Sequence, residues 1–182
     1  MNLDEAVLGR RSIRKYQRKE VPDSVVRELL DLARRAPSSM NGQPWRFIVI
    51  RKAEIKRQIV AIKNKYCPTE KLAFKADFLK DAPVIIVVCV DRSRSFEREV
   101  ENAVLAGAYI LLAAHSRGLG GVYMSAYRAG EEGIAGEFRK LLGIPAGVDP
   151  VTMIPLGYPD ETPGPKDLVP LDEVVSLETF SE

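Results

Sequence analysis

Arg10-Arg11-Ser12-Ile13-Arg14-Lys15-Tyr16 and, twenty residues further on, Ala36-Pro37-Ser38-Ser39-Met40-Asn41-Gly42-Gln43-Pro44-Trp45 are the stretches that decide how this 182-residue chain folds. The first places four cations and a hydroxyl directly after Gly9. A guanidinium is a planar fork that fits the oxygens of a phosphate, and Ser12 adds a neutral donor. If the stretch is extended, residues 10, 12 and 14 share one face and line one ligand. A solvated charge run or a nucleic-acid patch is the alternative reading of the same residues. The second stretch is dense in turn formers, and Ser38, Ser39, Asn41 and Gln43 offer the donors and acceptors that the amide-like edge of a heterocycle demands. Asx and Ser turns are its alternative use. A third stretch, Pro155-Leu156-Gly157-Tyr158-Pro159 with Lys166 beyond it, reads as a core strand delivering a glycine and then a cation.

Composition bounds the surrounding chain. The length suits one domain spanning residues 1–182. With 46% hydrophobic and 29% charged residues, wholesale disorder is excluded. A net charge of +2 gives no global basic field, so the expectation is no nucleic-acid partner and no membrane surface. Two cysteines and one histidine cannot build a Cys/His zinc site or a disulfide framework. The opening residues hold no apolar stretch of signal-peptide length, and the longest apolar run, Ala103–Ala114, is too short to span a membrane. A soluble, cytoplasmic protein is expected.

Periodicity supplies the elements. A short first helix carries Leu3, Ala6 and Val7 and stops at Gly9. A second begins with Pro22 as its first-turn proline and runs to Pro37. Trp45–Ile50 and Val84–Val90 are strand-like, and Ile55, Ile59, Ile62 and Tyr66 share a helix face. Another helix is expected over Leu72–Lys80, and a long one from Phe96 to Ser116. The second half of the long helix is apolar nearly all round, which calls for cover on every side, some of it from a second subunit. A strand near Val122–Ser125, a helix through Ile134–Leu142 and a last strand Val151–Leu156 complete an α+β pattern.

Three other motifs fail. Gly118-Leu119-Gly120-Gly121 resembles the start of a dinucleotide fingerprint, but Tyr123 stands where the last glycine belongs. Ser12-Ile13-Arg14-Lys15 matches Ser-x-x-Lys of the serine β-lactamases without their later motifs. A lone His115 at the end of an apolar helix reads as a core or helix-end residue, which removes a Ser–His–Asp hydrolase.

Taken together and in order, Arg-Arg-Ser-Ile-Arg-Lys-Tyr, Ala-Pro-Ser-Ser-x-Asn-x-Gln-Pro-Trp and the late Leu-Gly-Tyr-Pro resemble the FMN-dependent nitroreductase family, over about residues 4–175. Asp81-Ala82-Pro83 and Leu141-Leu142-Gly143-Ile144-Pro145 agree. The resemblance implies a central, mostly antiparallel sheet flanked by helices, in an interlocked homodimer with FMN at the subunit interface. It implies that Arg10, Arg11 and Ser12 hold the FMN phosphate with Lys166 as a further cation, and that Arg14 lies at the flavin N1–C2 edge. Pro37, Ser38, Ser39, Asn41 and Gln43 then come from the other subunit, as does a crossing tail, Leu168–Phe180. Backbone at Ser125 and Ala126 is placed beside flavin N5 and O4, Lys75 at the pyrimidine edge, and Gly157 and Tyr158 in the wall near the phosphate. The implied activity is hydride transfer from NADH or NADPH to a small organic acceptor such as a nitroaromatic or quinone. The flavin carries the chemistry, so no catalytic side chain and no metal are expected. The alternatives are an FMN-binding redox sensor without turnover, or a specialised dehalogenase, azoline oxidase or flavin-cleaving activity. The chain is short for the family, and Lys63–Lys75 and Ala126–Gly133 are the candidate lids.

Overall fold

Seven consecutive residues, Val84 to Val90, are fully buried, and they form the middle of the molecule. A computed structural model of the chain describes residues 1–67, 75–127 and 132–180. In it β2 (Val84–Asp91) lies between β1 (Trp45–Ile50) and β5 (Val148–Gly157), antiparallel to both. Because successive side chains of a strand point to opposite faces, a strand with no exposed position must be covered on both sides. Val84, Ile86, Val88 and Val90 pack on one face with residues of α2 (Asp23–Ala33) and α4 (Glu99–His115). Ile85, Val87 and Cys89 pack on the other with α3 (Ala53–Lys65) and α5 (Glu132–Leu142).

The second edge of β5 carries two short antiparallel strands, β3 (Gly120–Gly121) opposite Leu156 and Gly157, and β4 (Met124–Ser125) opposite Thr152 and Met153. The single strand expected near Val122–Ser125 is therefore two pieces flanking Val122 and Tyr123. Between Val88/Thr152 and Cys89/Pro150 the β2–β5 register slips, leaving Val151 as an extra residue. That bulge reverses the alternation, so Val151 and Ile154 face the same helical layer. Helices on both faces of an antiparallel sheet make the α+β class that the motif resemblance implies.

The helices differ from expectation at their ends. The first, α1 (Leu3–Gly9), is held by a reciprocal capping box between Asn2 and Glu5 and includes Gly9. Pro22 is the N-cap of α2, one position before the first helical residue. The long helix α4 starts at Glu99, because Phe96 and Glu97 hold left-handed φ values of 53° and 58°. Of the helix expected over Leu72–Lys80, residues 72–74 lie outside the described residues, and Asp77–Lys80 form a 3-10 turn. Pro68 also lies outside them, as do parts of both candidate lids. A four-residue turn, α6 (Leu171–Val174), interrupts an otherwise irregular tail.

Among the described residues α4 is not fully covered. Val104, Leu105 and Tyr109 are each more than a third exposed, and Ala108 is exposed beside them. These positions lie on a stripe three to four residues apart, as a helix–helix seam requires. No described helix is long and apolar enough to cross a membrane.

Candidate functional site

Arg10 leaves α1 with an extended backbone, and the chain through Tyr16 is then stitched to the sheet at both ends. Ser12 forms a parallel bridge to Gly121, with Ile13 N–H donating to the Gly121 carbonyl at 3.0 Å. Tyr16 bridges Pro159, and Gln17 N–H reaches the Tyr158 carbonyl at 2.9 Å. Asp160 N–H returns a bond to the Lys15 carbonyl at 2.9 Å. The buried Ile13 side chain lies over Gly120, where a Cβ would stand 2.4 Å from Ile13 Cγ1, so only glycine admits this approach. Gly157 is a second such contact: a Cβ there would be 2.6 Å from Pro83 Cδ and 2.8 Å from Tyr16 Cδ1. The glycine thus serves the packing of Tyr16 and Pro83. Tyr16 O–H donates to the Ile13 carbonyl at 2.7 Å, and burial raises its pKa well above the ordinary tyrosine value.

Arg10, Arg11, Ser12 and Arg14 are all half-buried along this strand. Arg11 donates to the Leu8 carbonyl at 2.9 Å, closing the end of α1, and to the Gly164 carbonyl at 3.4 Å. The tail therefore crosses Arg11 two residues before the exposed Lys166. The Glu161 carboxylate accepts from the backbone N–H groups of Arg14 and Lys15. His115, at the last residue of α4, abuts Gly9, and burial together with the Arg10 and Arg11 charges holds its imidazole below the ordinary value. The first and third motifs are thus brought together at one end of the sheet.

The loop after α2 is built differently. Met40, Asn41 and Gln43 all hold positive φ, at 49°, 53° and 47°. Gln43 N–H donates to Ser38 Oγ at 3.1 Å, and Gln43 Nε2 to Asn41 Oδ1 at 3.2 Å. Pro37, Asn41 and Gln43 are exposed, while Ser38 and Ser39 are half-buried. Ser39 N–H is held at 3.0 Å by the side-chain oxygen of the buried Asn102. Asn102 escapes the sequence reading; its only signal is an amide at the head of an apolar helical run.

Register separates the two halves. Trp45, which ends the loop, pairs with Val90, and Val90 with Asp149; Ser12 lies on Gly121, next to the Gly120 that pairs with Gly157. Gly121 pairs with Leu156 and Leu156 with Val84, so the two ends lie six steps of β2 apart, from Val84 to Val90, or about 20 Å at ~3.3 Å per residue. Within one chain the Arg10–Tyr16 strand and the Ser38–Gln43 loop stand at opposite ends of the sheet.

Ser125 and Ala126 lie between them, opposite Thr152 and Val151. Ala126 N–H already donates to the Val151 carbonyl at 2.9 Å, and Tyr127 N–H to Ser125 Oγ at 3.2 Å. Lys63, its ammonium pKa lowered by burial, donates to the Ser125 carbonyl at 2.7 Å. Lys75 is exposed, one residue before Ala76, whose N–H is held by Asn64 Oδ1 at 2.8 Å. Among the described residues no cluster of His, Cys, Asp and Glu suits a metal ion.

Half-buried arginines on an extended segment and a polar loop stand at the two ends of an antiparallel sheet between helical layers, and residues 7–158 match the nitroreductase family model. The chain belongs to the nitroreductase family. It is 41% identical over 178 residues to a Methanothermobacter thermautotrophicus protein named "Putative NADH dehydrogenase/NAD(P)H nitroreductase", covering 96% of this chain and 86% of that one. It is 28% identical over 183 residues to the iodotyrosine deiodinase of Thermotoga neapolitana, covering 91% of each. The solved structure of an FMN-dependent nitroreductase from Clostridium difficile superposes with a TM-score of 0.83 at 29% identity, covering 97% of this chain and 99% of that one.

Proposed function

We propose that this chain is an FMN-dependent oxidoreductase that takes hydride from NADH or NADPH and delivers it to a small organic acceptor such as a nitroaromatic or a quinone. It acts as a homodimer of one-domain subunits in which the Arg10–Tyr16 strand of one protomer meets the Ser38–Gln43 loop of its partner. The observation that carries the reading is the separation of these halves by about 20 Å within a chain, which pairing of two chains would remove. Support comes from the apolar stripe on α4, from the exposed Leu168, Leu171, Leu177 and Phe180 of the tail, and from the family.

The residues present fit the cofactor. Gly120 and Gly157 leave no side chain between the arginine segment and the sheet, so backbone bonds hold the segment in place with Arg10, Arg11, Ser12 and Arg14 half-buried along it. Arg10, Arg11, Ser12 and Lys166 would hold that phosphate as charge-assisted donors. Arg14 would stand at the pyrimidine edge, where a fixed cation stabilises negative charge on the reduced ring. Ser38, Ser39, Asn41 and Gln43 would meet the rest of the ring. Bound FMN supplies the two-electron chemistry at N5, so the protein's work is to bind, orient and exclude water. Ala126 N–H is committed to Val151, which leaves Ser125 as the remaining candidate of that pair. A cytoplasmic location fits two cysteines that are not joined in a disulfide.

Reductive dehalogenation is a second reading, supported by the Thermotoga deiodinase. Purified protein is expected to be yellow or to become so on adding FMN, and the flavin to bleach anaerobically with NADH or NADPH. A screen of quinone, nitrofuran and iodophenol acceptors then separates the readings. Bound flavin that neither nicotinamide bleaches would point to a non-turnover binding protein.

A further inference from the structure

Asn102 is 1% exposed, and a buried primary amide is stable only when its polar atoms are bonded. Here each is. Oδ1 accepts from Ser39 N–H at 3.0 Å, and Nδ2 donates to the Ser95 carbonyl at 3.1 Å. The Asn102 backbone carbonyl also accepts from Trp45 Nε1 at 3.0 Å. One residue in the first turn of α4 thereby ties together the Ser38–Gln43 loop, the loop before α4 and the start of β1.

The two loops it ties are strained. Met40, Asn41, Gln43, Phe96 and Glu97 hold φ between 47° and 58°, a region that non-glycine residues seldom adopt. The loops also touch: a Cβ on Gly42 would stand 2.1 Å from the Arg94 carbonyl oxygen. Strained backbone persists where its surroundings over-determine it, and such places concentrate at ligand clamps. Two residues beyond Asn102 begins the apolar stripe of Val104, Leu105 and Tyr109.

We infer that Asn102 is a positioning residue for the flavin, its side-chain oxygen fixing Ser39 so that the Ser38–Gln43 loop meets the ring already ordered. The inference rests on that loop being half of the FMN site. Asn102 acts through Ser39 and does not itself meet the ring. A pre-ordered loop raises affinity by removing the ordering that binding would otherwise demand. Asn102→Asp keeps an acceptor for Ser39 N–H, Asn102→Leu keeps only the volume, and Trp45→Phe removes the indole bond to Asn102 while leaving the side-chain amide in place.

The test uses the full-length chain and its variants. It measures FMN affinity by flavin fluorescence quenching, the reduction potential of the bound flavin, hydrogen exchange of the Ser39 amide, and melting without FMN. Asn102→Leu is expected to lose at least ten-fold in FMN affinity, shift the potential and expose the Ser39 amide to exchange, with Asn102→Asp recovering most of the affinity. Trp45→Phe is expected to melt earlier yet bind FMN within about two-fold of wild type. If Asn102→Leu does not fold, Asn102→Ala takes its place with the same expectations. The inference is overturned if the deletion variant binds FMN within two-fold of wild type, or if Trp45→Phe loses as much affinity, since stability alone would then account for the loss. A wild-type chain that does not bind FMN overturns the site assignment itself, and this inference with it.

Discussion

His115 is the one histidine of the chain, so its imidazole ring resonances are assigned without ambiguity. Burial and the neighbouring Arg10 and Arg11 charges lower its folded pKa from an ordinary value near 6.5. The unfolded chain therefore takes up this proton first as pH falls. The stability tied to neutral His115 is complete above about pH 6.5 and is lost as pH drops through the folded value. If a phosphate dianion settles on Arg10 and Arg11, it offsets those charges, and the His115 titration is expected to move upward on adding FMN. An NMR titration that shows no movement would place the phosphate elsewhere. Arg11 has two duties, closing α1 through the Leu8 carbonyl and holding the tail at Gly164. Arg11→Ala is expected to weaken FMN binding at least ten-fold in a fluorescence titration while lowering stability by only about 1 kcal/mol, the worth of such bonds.

At the scale of elements, the joint between the arginine strand and β3 depends on Gly120. Alanine there places a methyl 2.4 Å from Ile13 Cγ1, and Ile13 is itself pinned to the Gly121 carbonyl. Gly120→Ala is expected to cost about 1–3 kcal/mol in urea unfolding, as overpacking does, and to lower FMN affinity by moving Ser12. The strands Trp45–Ile50 and Val84–Val90 were legible from their β-branched and aromatic content, and the α3 face from its spacing of four, three and four. The start of α4 was not legible. Helix propensity is local, but the left-handed turn at Phe96 and Glu97 is kept in place by contact with Gly42, more than fifty residues away. The division of Val122–Ser125 was hidden for a similar reason, since both pieces are set by pairing with β5, a strand distant in sequence.

For the whole molecule, the apolar surface of one chain is the central observation. The α4 stripe, Leu3, Val7 and Leu8 of α1, and the tail from Leu168 to Phe180 all stand exposed. Exposed apolar residues in this number fit the proposed subunit interface. Leu105→Glu combined with Tyr109→Glu is expected to convert a dimer to monomer in sedimentation equilibrium and to abolish FMN binding together with it. Deleting residues from Leu168 onward, which keeps Lys166, is expected to weaken the dimer in the same assay. A monomer that binds FMN as tightly as wild type would refute a shared site.

The order of motifs, the buried central strand and the family were readable from the amino acids alone, because side-chain period and donor chemistry are properties of a few neighbouring residues. That Arg10–Tyr16 and Ser38–Gln43 occupy opposite ends of a sheet, that Gly157 serves the packing of Tyr16 and Pro83, and that Asn102 grips Ser39 were decided only by the tertiary structure. Each follows from strand register or from contact between residues distant in sequence, and no local pattern encodes either.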